Sequence, residues 1–233
     1  MTLLTVVRDV CAVVGVSQPS SVFAGIVGNR TMQEMVTLAN EMAQRIATDT
    51  RDWTRMKALH SFTGDGITTA WDLPNNYRRM LKTTNVWSSV TTHAPLRFFP
   101  DADMWVRRRK DNRTDGSGEW TNIGGQIHIF PVLPPGAVAS FVYLSKHCVA
   151  LAGPGGSVGG YSDTFLSDAD TFVLDERLLK LGMVWQWKAN KGSPYAEDMG
   201  TYGDALTNAM GSDGPAPILS NYPHVAGGWH ANL

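Results

Sequence analysis

Residues 31–53, TMQEMVTLANEMAQRIATDTRDW, decide the fold. Met32, Met35, Val36, Ala39, Met42, Ala43 and Ile46 recur at three- and four-residue spacing, which places them on one face of an α-helix. Thr31 and Glu34 have the spacing of a capping box, whose hydroxyl and carboxylate satisfy amides at a helix start. About seventeen residues at ~1.5 Å each make a rod about 25 Å long. Directly after Asp52-Trp53 the apolar pattern changes to period two. A helix that ends on a tryptophan where a β pattern begins predicts a helical base carrying a β-rich insert.

Toward the N-terminus, residues 2–15 read as a first helix. Leu3, Val6, Val7, Val10 and Val14 share a face, and Gly15 is the stop. A loop containing Pro19 leads to the second helix, and two consecutive helices so joined lie against each other.

Toward the C-terminus, residues 61–150 have β grammar. Gly64-Asp65-Gly66 predicts a hairpin between 61–63 and 67–71, followed by a long strand over 81–90 and another at 96–99. Gly124-Gly125 is the two-residue spacer of a tight hairpin joining 120–123 to 126–130, with Ile127 and Ile129 inward and His128 outward. Residues 138–144, VASFVYL, are apolar on both faces and predict a central strand. Within this region, 101–110 (DADMWVRRRK) reads as a short helix capped by Asp101.

Residues 153–160, GPGGSVGG, read as a flexible loop, after which helical pattern returns. Asp175 caps a helix that ends at Lys191-Gly192. Ser193-Pro194 opens the last helix, with Tyr195, Met199, Tyr202, Leu206 and Met210 on one stripe. The expected fold is α+β: a bundle of N- and C-terminal helices (1–60 and 151–210), an inserted small antiparallel β-sandwich or barrel (61–150), and an extended tail (211–233).

The 233 residues carry a formal net charge of −1, with 18% charged side chains, so no global field draws the chain to nucleic acid or an acidic membrane. Eight Trp imply large apolar surfaces, inside the subunit or between subunits. Cys11 and Cys148 are too few for a disulfide framework or a metal knuckle, which points to assembly in a reducing compartment. Arg8 and Asp9 interrupt the apolar N-terminus, and no stretch reaches the ~18 apolar residues that span a bilayer, so a soluble protein is expected.

Chemistry is sparse. The glycines at 153–160 are not followed by Lys-Ser/Thr, so they make no phosphate loop. Asp163, Asp168, Asp170 and Asp175 lack EF-hand spacing and read as turn and cap residues. The six His are scattered without metal-ligand spacing, and no nucleophile elbow is present. Neither an enzyme nor a cofactor is expected. Arg107, Arg108, Arg109, Lys110 and Arg113 form the sharpest charge cluster; they read as a solvated helix end or a contact to a neighbour, with DNA phosphates the alternative.

The helix after Asp175 has two apolar stripes, Leu178–Leu181–Trp185 and Leu179–Met183–Trp187. It must be buried on two sides, either wholly within the monomer or with Leu179, Met183 and Trp187 against a neighbouring subunit. The tail keeps Ile218, Leu219, Tyr222, Trp229 and Leu233 on an unperiodic segment with a single charge, Asp213. Such apolar anchors fit a segment that docks on a partner.

Three stretches carry a family likeness. They are DWTRMKALHSFTGDGITTAWDLPNNYRRMLKTTNVW (52–87), GGQIHIFPVLPPGAVASFVYLSKHCV (124–149) and DADTFVLDERLLKLGMVWQWKANKGSPYAEDMGTYGDAL (168–206). In order and spacing the chain resembles the head-to-tail adaptor (connector) proteins of tailed bacteriophages. The resemblance implies a ring, commonly dodecameric, seated between the portal protein and the next tail component, a stopper or terminator. It also implies DNA passing through the centre without sequence specificity, a C-terminal tail reaching the portal, and residence in the virion after assembly in the host cytoplasm. The alternative from another class is a β-sandwich module of a tail or baseplate that recognises carbohydrate or protein.

Overall fold

The computed structural model describes residues 1–24, 26, 28–82, 84–91, 94–112 and 116–214. Helices and sheets are mixed in an α+β chain. The helices are α1 (Leu3–Val14), α2 (Arg30–Thr48), α3 (Ala102–Lys110), α4 (Glu176–Asn190) and α5 (Ala196–Ser212).

The amphipathic pattern of 31–46 is realised in α2, but its start differs from the sequence expectation. Asn29 is the N-cap, its side-chain oxygen accepting the Met32 amide at 3.3 Å, two residues ahead of a Thr31 box. Glu34 is thereby released to pair with Arg30 at 2.9 Å and with Lys191 at 2.6 Å, tying α2 to the end of α4. Asp175 caps α4 and Asp101 caps α3, each accepting amides of its first turn. The last helix begins at Ala196; the turn through Gly192 closes α4 first, so Pro194 lies in the link instead of at the first helical position.

α4 packs against α1, α2 and α5. Their apolar faces, with Trp53, Met56, Val149, Phe165 and Phe172, form one buried cluster. Asp168 and Asp170 organise the loop beneath it. Asp168 accepts from Ser21 Oγ and from the amides of Val22 and Phe23. Buried Asp170 accepts the amides of Ala152, Leu166 and Ser167. Both carboxylates thus satisfy main-chain donors, the turn role expected for them.

Among the described residues the strands form three sheets. In the first, β1 (Lys57–Thr63) and β3 (Tyr77–Met80) flank β8 (Val138–Ser145), which also pairs with β4 (Trp87–Ser88). In the second the order is β2 (Ala70–Asp72), β7 (Gln126–Phe130), β6 (Glu119–Ile123), β5 (Arg97–Phe98). Their inner faces share a second buried cluster that includes Phe62, Trp120, Ile127, Ile129, Phe141 and Tyr143. The third sheet, β10 (Val158–Ser162), β9 (Val149–Ala152) and β11 (Thr171–Phe172), gives Val149 and Phe172 to the helical cluster.

β8 is central in the pairing order as expected, though its Val138–Ser140–Val142 face is not buried, and β6–β7 is the expected hairpin. Gly124 (φ 63°) and Gly125 (φ 79°) supply its two left-handed positions. Elsewhere the strand pairing departs from expectation. Residues 61–63 and 67–71 form no hairpin: β1 pairs with β8 and β2 with β7, in different sheets. The turn between them is pinned to the loop after β7, where Gly64 and Gly66 donate to the carbonyls of Ala137 and Leu133. A Cβ at Gly64 would lie 2.5 Å from that of Leu133. The long strand expected over 81–90 is reduced to β4 and a single bridge from Val86 to Leu96. Thr84 breaks it by turning its hydroxyl onto the carbonyls of Leu81 and Val142. Residues 153–160, expected as a flexible loop, lead into β10, where Gly159 crosses Gly153 so closely that a Cβ would meet its Cα at 3.1 Å. Among the described residues no helix is long and apolar enough to cross a membrane.

Candidate functional surfaces

Strand alternation builds the first surface. Along β1, Ala58, His60 and Phe62 turn inward. His60 lies edge-on to Phe141 at 5.5 Å, and burial lowers its imidazole pKa. Leu59, Ser61 and Thr63 turn outward, opposite Val142, Ser140 and Val138 of β8. Trp87 of β4 joins them across Ser140. The outer face is therefore an array of hydroxyls carrying three large apolar side chains in water: Leu59 is 69% exposed, Trp87 50% and Val138 41%. Sequence reasoning missed this face because it began the strand at Ser61. The signal was present in the alternation of KALHSFT.

The second surface is the basic cluster, and the structure draws most of it inward. α3 lies on the outer face of β6–β7, anchored by buried Trp105. Arg108 forms a forked pair with Glu119, 2.6 and 3.2 Å, and Glu119 is fully buried. Its guanidinium also sits 5.2 Å from the Phe99 ring centre. Arg109 covers Phe130 at 4.6 Å and Trp105 at 5.9 Å, and donates to the Ile129 carbonyl. Arg107 and Lys110 face solvent. Arg113 lies outside the described residues. The cluster is thus a clasp holding a helix on a sheet more than a cationic face. Beside it, His128 lines a shallow hollow with Trp105 and Lys110.

The third surface is α4. Leu179, Met183 and Trp187, expected against a neighbouring subunit, lie instead in the chain's own core, at 0%, 0% and 7% exposure. α1, α2 and α5 surround α4, so both of its apolar stripes are used within one subunit. Its outer edge is aromatic: Trp185 has Tyr195 and Tyr202 at 6.4 and 6.1 Å, next to exposed Met199. The expected docking residues Ile218, Leu219, Tyr222, Trp229 and Leu233 lie outside the described residues.

Cys11 and Cys148 are both buried, with the Cys148 thiol pushed up to about 12 by desolvation, which leaves it protonated and unreactive. Among the described residues no group of three His, Cys, Asp or Glu side chains is placed to hold a metal ion. Compared with known proteins, the sequence matches no family model and no curated relative.

Proposed function

We propose that the chain is a structural, non-enzymatic subunit of a tailed-bacteriophage head-to-tail adaptor. Copies of it would form a ring under the portal protein, hold the next tail component and let DNA pass through the centre. The observation that carries this reading is the outer face of β1, β8 and β4. A sheet face with Leu59, Trp87 and Val138 in water is a surface built to be covered, and the neighbouring copy in a ring is its natural cover. The order of the three family-like stretches supports the same reading. The portal contact is assigned to the tail anchors Tyr222, Trp229 and Leu233.

The test is electron microscopy of the purified chain incubated with portal-bearing, DNA-filled heads. Wild type should add a ring below the portal. Leu59→Glu with Trp87→Glu should keep the wild-type circular dichroism and melting curve but add no ring. A double variant that decorates heads as wild type does would overturn the assignment of this face.

One observation favours a second reading. Half-exposed Trp87 beside Ser140, with Ser61 on the far side of β8, is also a platform on which a sugar ring stacks, as in a carbohydrate-binding tail module. Glycan binding that disappears in Trp87→Ala, with no attachment to heads, would favour that reading.

A further inference from the structure

A cleft of about 520 Å³ opens between residues 55–58, where β1 begins, and residues 171–173, around β11. The volume is in the range of a specific small-molecule site. Its lining divides by exposure. Ser145 and Phe172 are buried and form the floor, whereas Arg55, Lys57 and Tyr161 stand exposed at the rim.

The floor carries a donor in need of an acceptor. Ser145, the last residue of β8, is 8% exposed. Its Oγ accepts the Asn76 side-chain amide at 3.2 Å and the His147 main-chain amide at 3.1 Å. Asn76 is itself held in place, its Oδ1 accepting the Tyr143 hydroxyl at 2.7 Å. A serine hydroxyl has two acceptor sites and one proton. Here both acceptor sites are filled, and among the described residues nothing accepts the proton. A buried donor in this state costs free energy until an acceptor arrives, and the cleft is where one can enter.

The rim supplies charge. Arg55 donates to the Val173 carbonyl at 3.1 Å, which fixes its guanidinium across the cleft and leaves further N–H donors. Among the described residues Lys57 has neither an ion pair nor a side-chain hydrogen bond. His147 adds an imidazole to the lining, and no described Asp or Glu lines the cleft. The carboxylates beyond Arg55 are committed elsewhere. Asp175 caps α4, Glu176 holds the terminal ammonium at 3.0 Å, and Asp213 takes the Thr54 amide and Arg51. A chain of net charge −1 thus gathers two permanent cations around one buried, unspent donor.

We infer that this cleft binds a phosphomonoester: Arg55, Lys57 and Ser145 take the phosphate oxygens, and Tyr161 meets the flat organic group, as in a nucleoside monophosphate. The donors come from separate segments, 55–57 and 145–147, which suits the tetrahedral oxygens of a phosphate better than the planar pair of a carboxylate. Two fixed cations match a dianion. Tyr161, 57% exposed, offers a ring on which a base can stack. The inference concerns the isolated chain and stands whether or not the adaptor reading holds.

The test is titration calorimetry of the full-length protein with adenosine monophosphate, inorganic phosphate and adenosine at fixed ionic strength, with amide resonances followed in parallel. Adenosine monophosphate should saturate, shift the His147 and Thr171 amides and be displaced by inorganic phosphate, while adenosine should not compete. Lys57→Glu should melt as wild type does and bind about tenfold more weakly, the worth of one charge-assisted contact. Lys110→Glu makes the same charge change on α3 and should bind as wild type does. Equal losses in the two variants would overturn the proposal, because binding would then follow net charge and not the cleft. Absence of saturable binding by either phosphate compound would also overturn it. A tetraglutamate peptide that binds where neither phosphate compound does would overturn it in favour of an acidic protein segment.

Discussion

The indole nitrogen of Trp53 donates a 2.7 Å hydrogen bond to the carbonyl of Ile46, in the last turns of α2. The Thr50 hydroxyl donates to the same carbonyl, also at 2.7 Å. Helix ends leave carbonyls without intrahelical partners, and here a buried side chain five residues beyond the end of α2 supplies a donor. Trp53→Ala removes both the ring from the helical core and the donor, and should lower unfolding free energy by ~3–5 kcal/mol. Trp53→Phe keeps most of the packing and should lose about 1 kcal/mol, the worth of one hydrogen bond. Chemical denaturation of the two variants beside wild type reads the difference.

Arg108→Ala should be far more costly than Arg107→Ala or Lys110→Ala, although the three are close neighbours on one helix. Only the first leaves a buried carboxylate, Glu119, without its guanidinium. Breaking such a pair from one side costs ~3–5 kcal/mol, whereas the exposed changes should stay within about 0.5 kcal/mol of wild type. Urea midpoints for the three variants would separate a clasp from a cationic face.

Because Met183 is enclosed, Met183→Ala should cost ~2–5 kcal/mol. Met183→Glu should fail to give a cooperatively folded monomer at all. Met199→Glu, on the exposed side of α5, should melt close to wild type. A folded Met183→Glu monomer would show that α4 faces outward after all.

Acidification to about pH 2 should loosen the turn that Asp65 holds. Asp65 accepts the amides of Ile67 and Thr68 and the Thr68 hydroxyl, and these bonds hold its carboxyl at about 2, below its ordinary 3.8. A depressed carboxyl contributes stability that is fully present above the unfolded value and fades as pH falls from about 4 toward 2. The Ile67 and Thr68 amide resonances should therefore titrate with a midpoint near 2, and Asp65→Asn should abolish that titration.

The parts of this fold that are legible in the sequence are the local ones. Asp101 and Asp175 announce their helices because a cap satisfies amides two or three residues away, and Gly124-Gly125 announces its hairpin because the turn alone sets the pairing. The partner of β1 was not legible. It lies some eighty positions away in β8, and the deciding contact is Gly64 against the Leu133 loop, which no local pattern records. The start of α2 was ambiguous for a different reason: Asn29 and Thr31 are both good caps, and the pull of Lys191 on Glu34 removes the partner that a Thr31 box requires. The surfaces suffered most. A run of arginines declares its charge but not the buried carboxylate and rings that absorb it, and the two stripes of α4 declare burial but not by whom.

The entry and exit of the β module are paired to each other, Lys57 opposite Leu144, on the end rung of a single ladder. The helices before and after the module therefore meet its two ends at nearly one point. Mechanically it is a cassette plugged into a chassis by a two-pin connector. A module of different size that kept this end rung and the contacts of Leu81 and Leu144 to the helical core would meet α2 at the same place. Variation in what such a chain presents to its surroundings is thereby freed from the constraints on how its helices pack.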